Sequence, residues 1–196
     1  MTALLTAVLA ATALGAGSDD EVVQRVHARI VGYDVVASSC HNVFAGVAEP
    51  GTATFDFRYQ ITGERHAGEY GGKVVFSLDD VAIHMPASIA WKSMSAGDRE
   101  RANALRHAIY HHEVGHVRIA EAVRDALNDA NAVTAPDRLA FSAAAETAGR
   151  EGFARFRREE RAYDALTDHG RKQHAAPGDL AGPDTVLLCS DTERRD

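Results

Sequence analysis

Apolar and polar positions alternate along the first half of the chain and then change period. From Glu21 to about Ser38, β-branched residues run in partial alternation (Val22, Val23, Val26, Ile30, Val31, Val35, Val36), which predicts a strand with Gly32 at a bulge or bend. Thr52 to Ile61 alternates strictly, with Phe55, Phe57, Tyr59 and Ile61 on one face, and predicts a half-buried strand. Gly63 to Gly72 is rich in turn residues. Lys73–Leu78 and Val81–Met85 then read as two further short strands, the second closed by Pro86.

Beyond Pro86 the period becomes helical. Ser95 and Asp98 form a relaxed capping box, so a long helix is expected from near Gly97 to about Asn131. Leu105, Ile109, Ile119, Val123 and Leu127 follow the three-four spacing of its buried face. Pro136-Asp137 breaks the chain, and a second helix carrying Leu139, Ala143, Phe153, Phe156, Tyr163 and Leu166 is expected from Arg138 to about Asp168, with Gly170 ending it. The tail from His174 is loop-like. The expected fold class is α+β: a small, mostly antiparallel sheet ahead of two long helices.

Composition narrows the classes. With 196 residues, 45% hydrophobic and 25% charged, the chain has what one ordinary globular domain needs. The net charge of −7 argues against a nucleic-acid or anionic-membrane partner, and Arg157-Arg158 and Arg194-Arg195 read as solvated pairs among acids. Met1 to about Gly17 is uncharged, apolar and ends in small residues, which predicts a secretory signal peptide (1–17) ahead of a single domain (18–196), and so a periplasmic or secreted protein. In an exported chain the two cysteines, Cys40 and Cys189, are expected to form a disulfide joining the two ends.

The candidate chemistry lies on the first long helix. His112-Glu113-Val114-Gly115-His116 is an H-E-x-x-H pattern, and a random chain of this composition would contain about 0.03 such patterns. Residues four apart on a helix differ by about 40° in azimuth, so His112 and His116 can face one metal ion while Glu113 adjoins it. Both fall on the buried stripe. His107 and His111 also lie four apart, but no glutamate follows His107, and they read as flanking residues. Gly115 costs about 1 kcal/mol relative to alanine in a helix, which points to close packing or a need for space.

A catalytic zinc needs a third protein ligand and an open position for water. The end of the second helix offers Glu160, Asp164 and His169, and helical spacing puts Glu160, Tyr163, Asp164 and Thr167 near one face, so spacing leaves the carboxylates open. His169 is favoured because it precedes Gly170, where the helix end frees the imidazole to reach across; Asp164 then suits a supporting role behind a ligand histidine. Tyr163 reads either as a donor to a developing oxyanion or as packed core.

His112-Glu113-Val114-Gly115-His116, followed by Tyr163-Asp164-Ala165-Leu166-Thr167-Asp168-His169-Gly170, resembles the paired signature of a family of predicted secreted bacterial zinc-dependent proteases, similar to zincin peptidases. Ile83-His84-Met85-Pro86 and Trp91 look like that family's strand-to-proline segment and its tryptophan. The resemblance spans roughly Ile30 to Gln173. It implies a zincin-like fold and metallopeptidase activity but brings no substrate of its own; with Zn2+ held by His112, His116 and His169 and Glu113 as general base, the expected chemistry is hydrolysis of a peptide or protein substrate. Two rival expectations are a non-catalytic zinc-binding envelope protein on a degenerate peptidase scaffold and a structural helical protein.

Overall fold

The computed structural model describes residues 17–38, 43, 51–130 and 132–185. All but Gly17 of the expected signal peptide, and both cysteines of the expected disulfide, lie outside these residues. The described chain is α+β: helix α1 (Asp19–Arg25), strands β1 (Arg29–Ala37), β2 (Thr52–His66) and β3 (Glu69–Trp91), helix α2 (Ala96–Ala130), strand β4 (Ala132–Ala135) and helix α3 (Arg138–Thr167), then two short 3-10 turns at Gln173–Ala175 and Gly178–Leu180. The four strands form one mixed sheet ordered β1-β3-β2, with β4 also paired to β3. No helix among the described residues is long and apolar enough to cross a membrane.

The N-terminal strand is shorter than its β-branched residues predict, because Ser18-Asp19-Asp20-Glu21 starts a helix first. The Ser18 hydroxyl accepts from the Glu21 N–H and the Glu21 carboxylate accepts from the Ser18 N–H, a full capping box. Three acids in that first turn favour the positive end of the helix dipole, and Val22 is fully buried. His27, at φ 53°, ends the helix before β1 begins.

β2 alternates as its sequence requires, with Phe55, Phe57, Tyr59 and Ile61 inward. It returns into β3 through Ala67 (φ 51°) and Gly68 (φ 100°), both left-handed, as the favoured two-residue hairpin demands. The two short strands expected over 73–85 are one strand of 23 residues. Asp80 takes a left-handed φ of 50° within it, a local kink where the acidic pair Asp79-Asp80 resembles a turn. Pro86 does not end it either. β1 runs parallel to β3 from Arg29↔Ala82 to Ala37↔Trp91, and the register slips one residue just after the Tyr33↔Pro86 pair, leaving Ala87 as the extra residue of a bulge. The parallel pairing makes the sheet mixed. β4 pairs antiparallel with Tyr70–Lys73 and is too short to show a period.

The chain packs as two compact units, each drawn from several segments, so that β2, β3, α2 and α3 all pass from one to the other. One unit holds residues 56–79 and 118–162. Phe57 stacks on Phe156 at 4.4 Å, and Phe76 lies 5.7 Å from Phe57. A side chain at Gly152 would meet Phe76, so that glycine lets the helix approach the strand. Asn128 closes both backbone groups of Phe76, accepting its N–H at 2.8 Å and donating to its carbonyl at 3.0 Å. The buried positions on α3 include Phe141, Ala145, Phe156, Tyr163 and Thr167, whereas the apolar residues Leu139 and Leu166 are 81% and 39% exposed and Ala143 is also exposed.

The other unit holds residues 17–55, 80–117 and 163–185 among those described. α2 begins as its capping box predicts, the Ser95 hydroxyl accepting from the Asp98 N–H and the Asp98 carboxylate from the Ser95 N–H. Leu105, Ala108, Ile109, Val114 and Val117 on this helix are buried. α1 is fastened to it twice, Asp20 accepting from the Tyr110 hydroxyl at 3.0 Å and Asp19 lying 2.9 Å from His111 Nδ1.

Candidate metal centre

α2 carries His112, Glu113 and His116, all buried, on its inward face. The end of α3 brings Asp164 to them. Asp164 Oδ1 lies 3.0 Å from His116 Nε2 and 3.6 Å from His112 Nε2. Among the described residues these three form the one group of His, Cys, Asp or Glu whose ligand atoms all fall within 4.8 Å of one another. A tetrahedral ion with bonds of about 2.0–2.1 Å has ligand-to-ligand edges of about 3.3–3.4 Å, so the two separations bracket what zinc requires. Two imidazole nitrogens and a carboxylate oxygen also suit zinc chemically. The residues fit the ion.

His169, expected as the third ligand, is not in that group. α3 stops at Thr167, and Asp168 and His169 both take left-handed backbone (φ 50° and 53°) before Gly170 (φ 80°). This turn leaves the His169 side chain 41% exposed, with Nδ1 3.7 Å from Asp164 Oδ1. Asp164, still on the helix, is carried inward beside Tyr163. Glu160, the other carboxylate considered, is not in the group either.

Burial alone would raise the Asp164 carboxyl, but hydrogen bonds and charge from His112 and His116 outweigh it and hold the group well below the usual carboxylate range. Glu113 goes the other way. Burial dominates and pushes its pKa up against the attraction of the two histidines, while the Ala53 N–H donates to its carboxylate. Gly51 also lies against the Glu113 side chain, so the start of β2 fixes this carboxylate from above.

The histidines are oriented by residues that sequence spacing did not single out. Gln173 is fully buried, and its amide nitrogen lies 2.6 Å from the Leu180 carbonyl and 2.7 Å from the Tyr163 hydroxyl. A carbonyl can only accept, which identifies that amide atom as the NH2. The other, Oε1, therefore faces His112 Nδ1 at 2.9 Å, and Nδ1 must carry the proton. With Nδ1 held by Gln173, Nε2 is the nitrogen directed at Asp164 and the metal position.

Tyr163 is fully buried and stacks on His112 with centroids 4.9 Å apart and planes 15° apart, and it meets His116 edge-on at 4.9 Å. Its hydroxyl accepts from Gln173 and donates to the His112 carbonyl at 3.3 Å, which makes it a packed wall rather than a free oxyanion donor. Gly115 is required by this wall: a Cβ there would fall 2.7 Å from Tyr163 Cζ and closer still to its oxygen. His111 belongs outside the site. Its nitrogens face Asp19 and the Leu180 carbonyl, and the Asp19 hydrogen bond chiefly raises its pKa. His107 is exposed.

No curated protein and no solved structure matches this chain. A family profile does, over residues 37–170, which includes α2 with both histidines and Glu113, and α3 through Asp164 to Gly170. The chain belongs to the family described as a bacterial protein of unknown function (DUF922).

Proposed function

We propose that this protein is a zinc-dependent peptidase, exported to the periplasm or beyond, that hydrolyses peptide bonds in protein or peptide substrates. The observation that carries the reading is the buried Glu113 carboxylate beside a group of two histidines and one aspartate, His112, His116 and Asp164. Three protein ligands leave one position open, as catalytic rather than structural zinc sites do. The arrangement, two histidines from one helix and an acid from a later one, is zincin-like.

When bound, the ion supplies a Lewis acid that brings the pKa of water to about 7 and polarises a carbonyl. Glu113 is the general base and then the general acid: its carboxylate takes the proton of water and returns it to the nitrogen of the departing amine. The Ala53 N–H holds that carboxylate in place. Gln173 and Tyr163 keep the His112 ring fixed, one through Nδ1 and the other through its face.

Native protein should contain one zinc per chain by elemental analysis. Glu113→Gln should keep the metal and lose hydrolysis of unfolded-protein substrates; turnover retained by the metal-loaded variant would refute the catalytic assignment.

A second reading rests on His169 Nδ1, 3.7 Å from Asp164 Oδ1. Were it to join as a fourth ligand, the site would be closed and the protein a non-catalytic zinc-binding one. The open site predicts that Asp164→Asn weakens zinc binding far more than His169→Ala; equal losses favour the closed site.

A further inference from the structure

The α3 helix carries a feature unrelated to the metal centre. Arg150, Arg157, Arg158 and Arg161 line an open groove of about 500 Å3 together with Phe153 and Ala154. Relative to Arg150, the other three arginines lie at about −20°, 80° and 20° around the helix, so all four share an arc of about 100°. The stripe is about 16 Å long at 1.5 Å per residue. All four arginines are exposed, and none makes an ion pair with a carboxylate among the described residues. Arg150 donates to the Thr147 hydroxyl, and Arg157 lies 4.9 Å over the Phe153 ring. In a chain of net charge −7, Arg157-Arg158, read from the sequence as a solvated pair, stand with Arg150 and Arg161 as four neighbouring exposed cations.

We infer that this groove is a docking surface for an acidic, extended segment of a partner protein. Arginine is the side chain suited to the task, since its planar fork meets a carboxylate with two parallel hydrogen bonds. An extended chain rises about 3.3 Å per residue, so about five residues span the stripe, and alternate side chains present carboxylates to the arginines. The half-buried Phe153 ring, with Arg157 over it, offers the backbone and any apolar neighbour a floor. The chain's overall negative charge selects against larger polyanions. A nucleic acid or an anionic bilayer would extend beyond the groove and meet the repulsive remainder of the surface within a Debye length of about 10 Å. A short acidic segment keeps its charges inside the basic stripe.

The test measures binding of a fluorescein-labelled deca-glutamate peptide to the full mature chain by anisotropy at low ionic strength. The groove variant is Arg157→Gln/Arg158→Gln/Arg161→Gln. Its control, Arg29→Gln/Arg65→Gln/Arg99→Gln, removes the same charge from exposed positions elsewhere, and melting curves establish that both fold. Binding that weakens with salt, falls about tenfold or more in the groove variant and is nearly unchanged in the control supports the proposal. No binding by the parent overturns it, as does equal loss in both variants, which would mark a net-charge effect. Phosphatidylglycerol vesicles or a DNA oligonucleotide bound through the groove in place of the peptide would also overturn it.

Discussion

Gly115→Ala tests whether packing, rather than helix propensity, governs the metal helix. In an unconstrained helix interior the change would stabilise by about 1 kcal/mol. Here the new methyl would stand 2.7 Å from Tyr163 Cζ and 3.1 Å from Cε1, where carbon atoms prefer about 3.5–4.0 Å, so the ring must retreat by about 1 Å. It has nowhere to go without loss: Tyr163 is fully buried, flat on His112, edge-on to His116, and bonded through its hydroxyl to Gln173 and the His112 carbonyl. Overpacking of this kind costs about 1–3 kcal/mol, and weakening a buried hydrogen bond adds about 1 kcal/mol. Set against the propensity gain, the net is a destabilisation of about 1–3 kcal/mol, read from the urea midpoint of metal-free protein at unchanged slope. Zinc affinity, measured by chelator competition, should fall about tenfold or more as His112 loses its support. Because the closest collision is with the phenol oxygen, Tyr163→Phe should partly rescue Gly115→Ala. A Gly115→Ala protein as stable as its parent, with the same zinc affinity, would refute the reasoning.

Three further outcomes are expected. Gln173→Met, which keeps the shape but removes the acceptor for His112 Nδ1, should lower zinc affinity by about tenfold or more; Gln173→Glu should recover part of the loss, and equal affinities for all three forms would count against the orienting role. Asn128→Ala should lower stability by about 2 kcal/mol in thermal or urea unfolding, since it leaves the Phe76 N–H and carbonyl without their partner, while zinc content stays constant. At the start of α2, hydrogen bonds from the Ser95 hydroxyl, Arg101 and the Ser95 N–H hold the Asp98 carboxyl down to about 2 from 3.8. A depressed carboxylate stabilises the fold above its unfolded pKa and stops doing so as pH falls through its folded one, so Asp98→Asn should lower the melting temperature above about pH 4 and converge on the parent near pH 2.

Local, periodic features were legible in the chain. β2 follows its strict alternation, and α2 starts at its capping box and carries His112 and His116 inward as their spacing requires. Where two local signals conflicted, the sequence reading took the less decisive one. The valines at 22 and 23 indicate strand, but the cap formed by Ser18 and Glu21 makes that turn a helix. Asp79-Asp80 and Pro86 resemble breaks, yet a single left-handed residue and a one-residue bulge absorb them within β3. Leu139 lies about 160° around α3 from the buried Phe141 and so faces outward. At the site, Glu113 and both histidines were visible because they share one helix. Asp164 rather than His169 falls within the group because the chain turns left-handed at Asp168, which no spacing in the sequence signals. Gln173 carries no motif; its role arises from a contact 61 positions away along the chain.

His116 and Asp164 lie about 50 residues apart, on helices that must both be formed and docked before their ligand atoms meet. The donor set therefore does not exist in an unfolded or half-synthesised chain, and an ion that binds it recognises the finished fold alone. Such an ion acts as a folding ligand: at a free concentration 100 times its dissociation constant it stabilises the native state by about 2.7 kcal/mol. Metal scarcity would then reach this protein first as a change in its lifetime, through more frequent opening of the end of α3, before any question of turnover arises.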